Sequence, residues 1–403
     1  MSQRQNESTP PNLAVGIGAS AGGLQAFTAF FAHLPPDSGM AFVLVQHLSP
    51  DHESILTELL DKDAPIPVVE AKHGMRLEAN RVHVIPPDAT LTIADGKLQV
   101  VKPAPPRSSR RPIDSFFTSL AQDQGENAVA IVLSGVGSDG SGGLSAVKES
   151  GGLTIAQAEF DHQPMAGMPQ SAAATGYVDY VLPVEEMPAK LIEYRDHLAL
   201  VADRKDADGT RTDAGEHLAT VLAVLRSKTG HDFAKYKSKT VTRRIQRRMQ
   251  VLQADTVPAY IQHLRDDPRE SEALFRDMLI GVTEFFRDPE AFQGLSAAID
   301  AVLARGGELS LRVWAAACST GEEAYSLAIT IRELLDARGA NLDVKIFGTD
   351  IDDRAIEVAR AGRYVRTTGI SPERLQRAGS IRTKGRTARP GKFAGCASSR
   401  STT

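Results

Sequence analysis

The stretch Val15 to Phe27, VGIGASAGGLQAF, constrains the chain more than any other: an apolar run enters glycines around a single serine and leaves as a helical pattern. Ser20 stands in it as Gly18-Ala19-Ser20-Ala21-Gly22, which reads G-x-S-x-G. Small neighbours let a strand turn sharply into a helix there and leave the serine oxygen exposed beside helix N-terminal amides. The same letters read as Gly16-x-Gly18-x-x-x-Gly22, close to a dinucleotide-binding fingerprint, and glycine-rich strand-to-helix turns also serve packing alone. The motif leaves catalysis, nucleotide binding and packing open, and its context has to decide among them.

The context is a parallel sheet. Apolar runs at Ala14 to Gly18 and Ala41 to Gln46 alternate with helical patterns at Gly23 to His33 and from about Ser54, the signature of strands joined by crossover helices. The second strand, AFVLVQHLSP, is apolar until Gln46 and His47, so His47 belongs at its carboxyl end, the edge where open α/β sheets bind ligands. A dinucleotide site wants an acidic residue there to hold ribose hydroxyls. The histidine weighs against a nicotinamide-dependent oxidoreductase. Shorter strands follow between Pro65 and Val101, with a hairpin predicted at Asp95-Gly96. The proline- and arginine-rich run from Lys102 to Pro112 reads as a surface loop without chemistry.

Ala128 to Leu133, AVAIVL, is another buried strand, and it runs into Ser134-Gly-Val-Gly-Ser-Asp139-Gly-Ser-Gly-Gly143. Asp139 reads either as the cap of the following helix or as the acid of a catalytic triad. Ser20, His47 and Asp139 are each predicted just past the carboxyl end of a parallel strand. A serine hydrolase needs a base to take the serine proton and a carboxylate to hold the imidazole tautomer, and those residue types converge on one edge. His33, His52, His73, His83 and His162 lack such placement and read as surface or locally satisfied.

Residues 13 to 195 resemble the catalytic domain of the chemotaxis protein-glutamate methylesterases (CheB), in GIGASAGGLQAF, VLVQHLSP, RRPIDSFFTSLA, AIVLSGVGSDGSGG and PMAGMPQSAAATGYVDYVLP. The resemblance implies Ser20 as nucleophile, His47 as general base and Asp139 as orienting acid, with backbone amides near Ala21 and Val136 as oxyanion donors. It also implies methyl esters of receptor glutamates as substrate, with deamidation of certain glutamines. No room for a receiver domain precedes Leu13, so control by phosphorylation in cis is not expected.

At 403 residues the chain is long for one core. A polar tail, residues 1–12, precedes the first domain, and Asp203 to Gly215, DRKDADGTRTDAG, reads as a linker. From Glu216 to Gln293 the patterns are helical without strand runs. In VTRRIQRRMQVL, Val241, Ile245 and Met249 form one apolar face while Arg243, Arg244, Arg247 and Arg248 crowd the other. Such a cluster is commonly a solvated face; four arginines without an acidic neighbour also repel one another and point to an acidic partner surface. Leu309 to Ala317, LSLRVWAAA, then breaks at Cys318-Ser-Thr-Gly321 into a helix, and a second strand, VKIFGTD, ends at Asp350. This is the start of a nucleotide-binding α/β unit with an acid at the end of strand two.

Residues 216 to about 377 resemble the chemotaxis receptor methyltransferases (CheR), in the basic helix, TEFFRDPEAF, RVWAAACSTGEEAYSLA and FGTDIDDRAIEVARAGRY. The resemblance implies Thr283, Arg287, Glu322 and Asp350 around S-adenosylmethionine, and a receptor-facing role for Arg243, Arg244, Arg247 and Arg248. The later strands of that family do not follow, and residues 378–403, with six Lys or Arg and no acid, read as a disordered or out-of-frame tail. Methyl transfer is expected to be lost or very weak.

The resulting expectation is an α/β doubly wound parallel-sheet methylesterase domain over 13–195, a small all-α domain over 216–293 and an incomplete Rossmann-like methyltransferase domain over 294–377. The esterase needs no cofactor. The two cysteines form no disulfide or metal pattern, and no signal peptide or span of roughly 18 apolar residues is present, which fits a cytoplasmic chain without membrane insertion. The net charge of -4 gives no reason to expect nucleic acid. Partners would be the cytoplasmic domain of a methylated receptor and a sensory histidine kinase. The competing class is a non-catalytic signalling module that docks on such partners through its helical domain.

Overall fold

Strands covered on both faces read as unbroken apolar runs, and the first sheet is built from such runs. The computed structural model describes residues 11–20, 22–46, 55–102, 111–158, 167–208, 217–279, 281, 283–304, 310–340 and 342–362. The chain divides into two units, Met1–Ile280 and Gly281–Thr403.

The first unit opens with β1 (Ala14–Ala19), α1 (Gly23–Ala32), β2 (Ala41–Gln46), α2 (Ile55–Asp63), β3 (Val68–Glu70) and β4 (Arg81–Val84). The hairpin β5 (Thr90–Ala94) and β6 (Lys97–Val101) forms at the expected turn, with Asp95 and Gly96 both at positive φ. Then come α3 (Pro112–Gln124), β7 (Ala128–Val132), α4 (Gly143–Glu149), β8 (Leu153–Gln157), α5 (Met168–Ala174), β9 (Tyr180–Leu182) and α6 (Met187–Asp208). The sheet order is β3-β4-β2-β1-β7-β8-β9, and every pairing in it is parallel. Strand order reverses at β1 and β7, where Ala14 pairs with Ala128, so a crevice opens at their carboxyl ends.

Alternate side chains serve two cores. Val15, Ile17, Phe42, Leu44, Val129 and Ile131 pack under α1 and α6. On the other face Ala14, Val43, Ala130 and Val132 meet Ile113, Phe116, Phe117 and Leu120 of α3. Gly16 and Gly18 belong to that second face: a Cβ on Gly16 would come within 2.9 Å of Phe116, and one on Gly18 within 2.4 Å of Ile113. Glycines in the strand thus let α3 lie close against β1, which fixes where that helix begins. His83, expected at the surface or locally satisfied, is fully buried in β4, its Nδ1 3.3 Å from the Phe42 carbonyl. Burial pushes its pKa down. His33 and His73 are exposed, and His52 and His162 lie outside the described residues.

Among the described residues four helices follow in this unit: α7 (Leu218–Thr229), α8 (Ser238–Leu252), α9 (Val257–Asp266) and α10 (Pro268–Met278). Proline in the first turn and a capping side chain start the last two, Thr256 accepting from Ala259 N and Asp267 from Arg269 N. Their core gathers Val221, Leu225, Phe233, Ile245, Tyr260 and Leu274. The expected linker begins later than its polarity suggested, because α6 runs on through Asp203 to Asp208. Charged residues continue a helix already nucleated by its apolar first half. The rest of that linker and the tail 378–403 lie outside the described residues.

In the second unit α11 (Pro289–Ala304) precedes β10 (Leu311–Ala316), α12 (Glu322–Arg338), β11 (Val344–Thr349) and α13 (Asp353–Ala361). The two strands pair in parallel, Leu311 with Val344, as a strand-helix-strand unit requires. No helix among the described residues is long and apolar enough to cross a membrane.

Candidate active site

Ser20 follows β1 directly, and Gly22, at φ +82°, turns the chain into α1. No side chain caps that helix, and its first amide, Gly23 N, is taken by the Ser20 carbonyl. The Ser20 amide donates to the Ser134 carbonyl at 3.0 Å, and the Ser20 carbonyl accepts from Gly23 N at 2.9 Å and from Gln46 Nε2 at 3.1 Å. The serine backbone is therefore held from β7 on one side and β2 on the other. Gln46 pairs with Ala19 and immediately precedes His47 in the chain. His47 and Ala21 themselves lie outside the described residues.

The loop after β7 is held by contacts that sequence reasoning did not anticipate. Ser134 N donates to Gln157 Oε1 at 2.8 Å, and Met168 N to the Gly135 carbonyl at 2.9 Å. Gly135 packs flat on the serine: a Cβ there would lie 2.8 Å from Ser20 Cβ. Val136 follows with its side chain 77% exposed. Asp139 is buried, and its carboxylate accepts from Ile113 N at 3.1 Å, Asp114 N at 3.0 Å and Gly140 N at 2.9 Å. The capping reading was thus right in kind and wrong in target, since Asp139 holds the N-terminus of α3 and not of α4. Charge-assisted bonds from three amides fix the carboxylate in place. Arg111 braces the same loop, donating to Asp114 Oδ2 at 2.9 Å and to Ser138 Oγ at 3.0 Å. The sequence signal was a basic residue at a helix N-terminus, a place the helix dipole disfavours.

In the second unit the Asp350 carboxylate stands at the end of β11, accepting from Ser319 N at 2.7 Å and Asp352 N at 2.9 Å. Glu322 opens α12 and accepts from Thr320 Oγ1 at 2.5 Å. Burial pushes the Glu322 pKa up against the pull of that hydrogen bond. Gly321, at φ +101°, makes the turn between them. Phe286 N donates to Ser326 Oγ at 3.0 Å, and Ser326 Oγ donates to the Glu322 carbonyl at 2.7 Å, so the segment carrying Thr283 and Arg287 reaches the first turn of α12. Thr283 is half-buried there and Arg287 is exposed.

Residues 15–191 match the family model described as CheB methylesterase. Residues 216–279 match the CheR methyltransferase all-alpha domain, and 281–385 the CheR SAM binding domain. The chain joins a CheB methylesterase domain to two CheR domains. Similar proteins include an uncharacterized 104.1 kDa protein of Rhodobacter capsulatus, 39% identical over 337 residues, which are 77% of this chain and 35% of that protein. A protein-glutamate methylesterase/protein-glutamine glutaminase of Anaeromyxobacter dehalogenans is 38% identical over 44% of this chain and 52% of its own length. A Pyrococcus horikoshii protein of the same description is 35% identical over 46% and 51%. The chain spans between about a third and a half of the length of these relatives. The CheB methylesterase catalytic domain of Thermotoga maritima is 32% identical, covering 45% of this chain and 97% of that one with a TM-score of 0.42.

The arginines of the CheR all-alpha domain are not placed as expected. Arg243 alone of the four is exposed; Arg244, Arg247 and Arg248 are buried. Arg247 pairs with Asp277 at 2.9 Å and Asp179 at 2.5 Å, and Arg248 with Glu270 at 2.5 Å. The helix has no acidic neighbour in sequence, but the fold brings acids to it from other elements. Arg244, Arg247 and Arg248 therefore present no surface to an acidic receptor in this arrangement.

Proposed function

We propose that the CheB domain hydrolyses methyl esters of glutamate side chains on the cytoplasmic domain of a chemoreceptor. Ser20 Oγ attacks the ester carbonyl carbon while His47 takes the serine proton, and Asp139 orients the imidazole. The tetrahedral oxyanion is met by backbone amides at Ala21 and Val136; one such donor is worth about 10² to 10³ in rate. Collapse expels methanol, protonated by His47. Water then attacks the acyl-serine with His47 again as base, releasing a glutamate carboxylate and regenerating Ser20. The same attack on a side-chain amide would release ammonia, a glutaminase reaction.

The observation that carries this reading is the junction at the sheet's switch point. The Ser20 amide is bonded to Ser134, five residues before a buried Asp139, while Gln46, the residue before His47, is bonded to the Ser20 carbonyl. Methanol release from a methylated receptor domain tests it, comparing the chain with Ser20→Ala; release undiminished in the variant would overturn it. This reading puts the chain in the cytoplasm with the receptor as partner. A purely docking role through α8 is weakened because three of its arginines are engaged internally.

For the second unit we propose that Asp350 faces the ribose hydroxyls of S-adenosylmethionine, with Glu322, Thr283 and Arg287 around the rest. Asp350 at the end of the second strand, beside a positive-φ glycine and a helix N-terminus, fits a nucleoside. When bound, the cofactor supplies an electrophilic methyl group. Calorimetric titration with S-adenosylmethionine, comparing the chain with Asp350→Ala, tests the assignment.

A further inference from the structure

We propose that α8 is an internal docking helix, which fastens the CheR all-alpha domain to the amino-terminal edge of the CheB sheet and makes the two domains one rigid body. The contact joins domains of two families and is built around Arg247, whose side chain is 2% exposed. Its Nε and Nη2 donate to the Gly152 carbonyl at 3.2 and 2.9 Å, its Nη2 to Asp179 at 2.5 Å and its Nη1 to Asp277 at 2.9 Å. Such a planar fork suits a carbonyl and two carboxylates as an ammonium does not. Arg244 Nη1 reaches the Lys148 and Glu149 carbonyls at 3.3 and 3.4 Å, the end of α4 where a cation complements the helix dipole.

The buried ion pairs match cation to anion, while a fourth buried cation, Arg244, is met by carbonyls. Lys148, Arg247 and Arg248 face Asp179, Asp277 and Glu270, three cations to three anions. Lys148 and Asp179 come from the CheB domain and the other four from the helical one. Apolar contact adds to this, since Val251 of α8 is buried in the CheB core with Leu191 and Tyr194. Tyr180 Oη donates to the Val251 carbonyl, and Gln253 Nε2 to Glu193 at 3.0 Å.

The position of the contact decides its role. Gly152 precedes β8 and Asp179 precedes β9, so α8 sits at the edge where strands begin, whereas Ser20 and Asp139 lie where strands end. A domain fastened there leaves the serine edge open. It acts as a fixed carrier, with Arg244 and Arg247 of α8 engaged on the CheB domain.

The test uses the full chain with a protease site placed within residues 209–216. After cleavage, size-exclusion chromatography at about 0.15 M and about 1 M salt should show the two fragments eluting together at both, because buried pairs are little screened. Arg247→Met and Val251→Asp, each shown folded before cleavage by circular dichroism, should weaken association at least about tenfold. Separation of the wild-type fragments would overturn the proposal. So would association left unchanged by both substitutions.

Discussion

Gly135 lies so close to Ser20 that a Cβ placed on it would stand 2.8 Å from the serine Cβ and 3.0 Å from its backbone nitrogen. The same Cβ would come within 2.4 Å of Met168 Sδ, the end of a flexible side chain that can yield; the serine backbone, bonded to Ser134, cannot do so without moving the nucleophile. Gly135→Ala is expected to lower methanol release by on the order of 10²-fold, the cost of a displacement near 1 Å. Stability should fall by only about 1–3 kcal/mol, as overpacking costs. Steady-state kinetics and urea denaturation check the two parts, and full activity in the variant would deny the close approach any catalytic weight.

Asp139 carries a structural duty beside its proposed catalytic one. Asp139→Asn turns one acceptor into a donor that faces the amide of Ile113 or Asp114. Stability should drop by about 1–3 kcal/mol through an unsatisfied buried amide. Methanol release should drop by on the order of 10⁴, as when a triad imidazole loses its orienting acid. Denaturation separates the effects: release that falls only in proportion to the unfolded fraction would leave Asp139 as the cap of α3 and nothing more.

What the sequence made legible, and what it did not, follows from range. β1, β2 and β7 showed as apolar runs, with Ser20 directly after the first and Asp139 in the loop after the third, because strand and turn chemistry are local. The two-sided burial of the sheet was readable for the same reason. The packing of Gly135 on Ser20 and the bond from Asp139 to α3 were hidden, since each joins residues 25 or more positions apart and a glycine carries no mark of what approaches it. The arginine helix misled for that reason too. Arg247 meets Asp277 and Asp179, 30 and 68 positions away, and no windowed reading of VTRRIQRRMQVL reveals them.

The buried cluster sets an acid limit on the first unit. Burial alone would push the Asp179 carboxyl up, but Arg247, Lys148 and Arg248 overcome it and hold its pKa well below the usual carboxylate range. A depressed folded value contributes stability that is present above the unfolded value, about 3.9, and is lost as pH falls from there toward the folded one. Asp179→Asn, which leaves buried cations without their anion, should cost about 3–5 kcal/mol at neutral pH. In urea denaturation the gap between wild type and variant should narrow below about pH 4; a gap independent of pH would mean that Asp179 acts not through its charge but as the acceptor for Thr154 N and Oγ1, at 3.0 and 2.8 Å.

Glu322 has the opposite sign. Burial raises its folded pKa despite the bond from Thr320, so the ionised form is disfavoured in the fold and weakens it at neutral pH. That penalty is full above the folded value and disappears as pH falls below the unfolded one, about 4.3. Glu322→Gln keeps the shape and removes the charge, so in the absence of S-adenosylmethionine the melting temperature of the second unit should rise at pH 7. The advantage should vanish toward pH 4. The same variant should bind S-adenosylmethionine more weakly in calorimetric titration, because the group whose charge costs stability is one proposed to face the ligand. A variant that loses stability at pH 7 would show that the bond from Thr320 outweighs the cost of burying the charge.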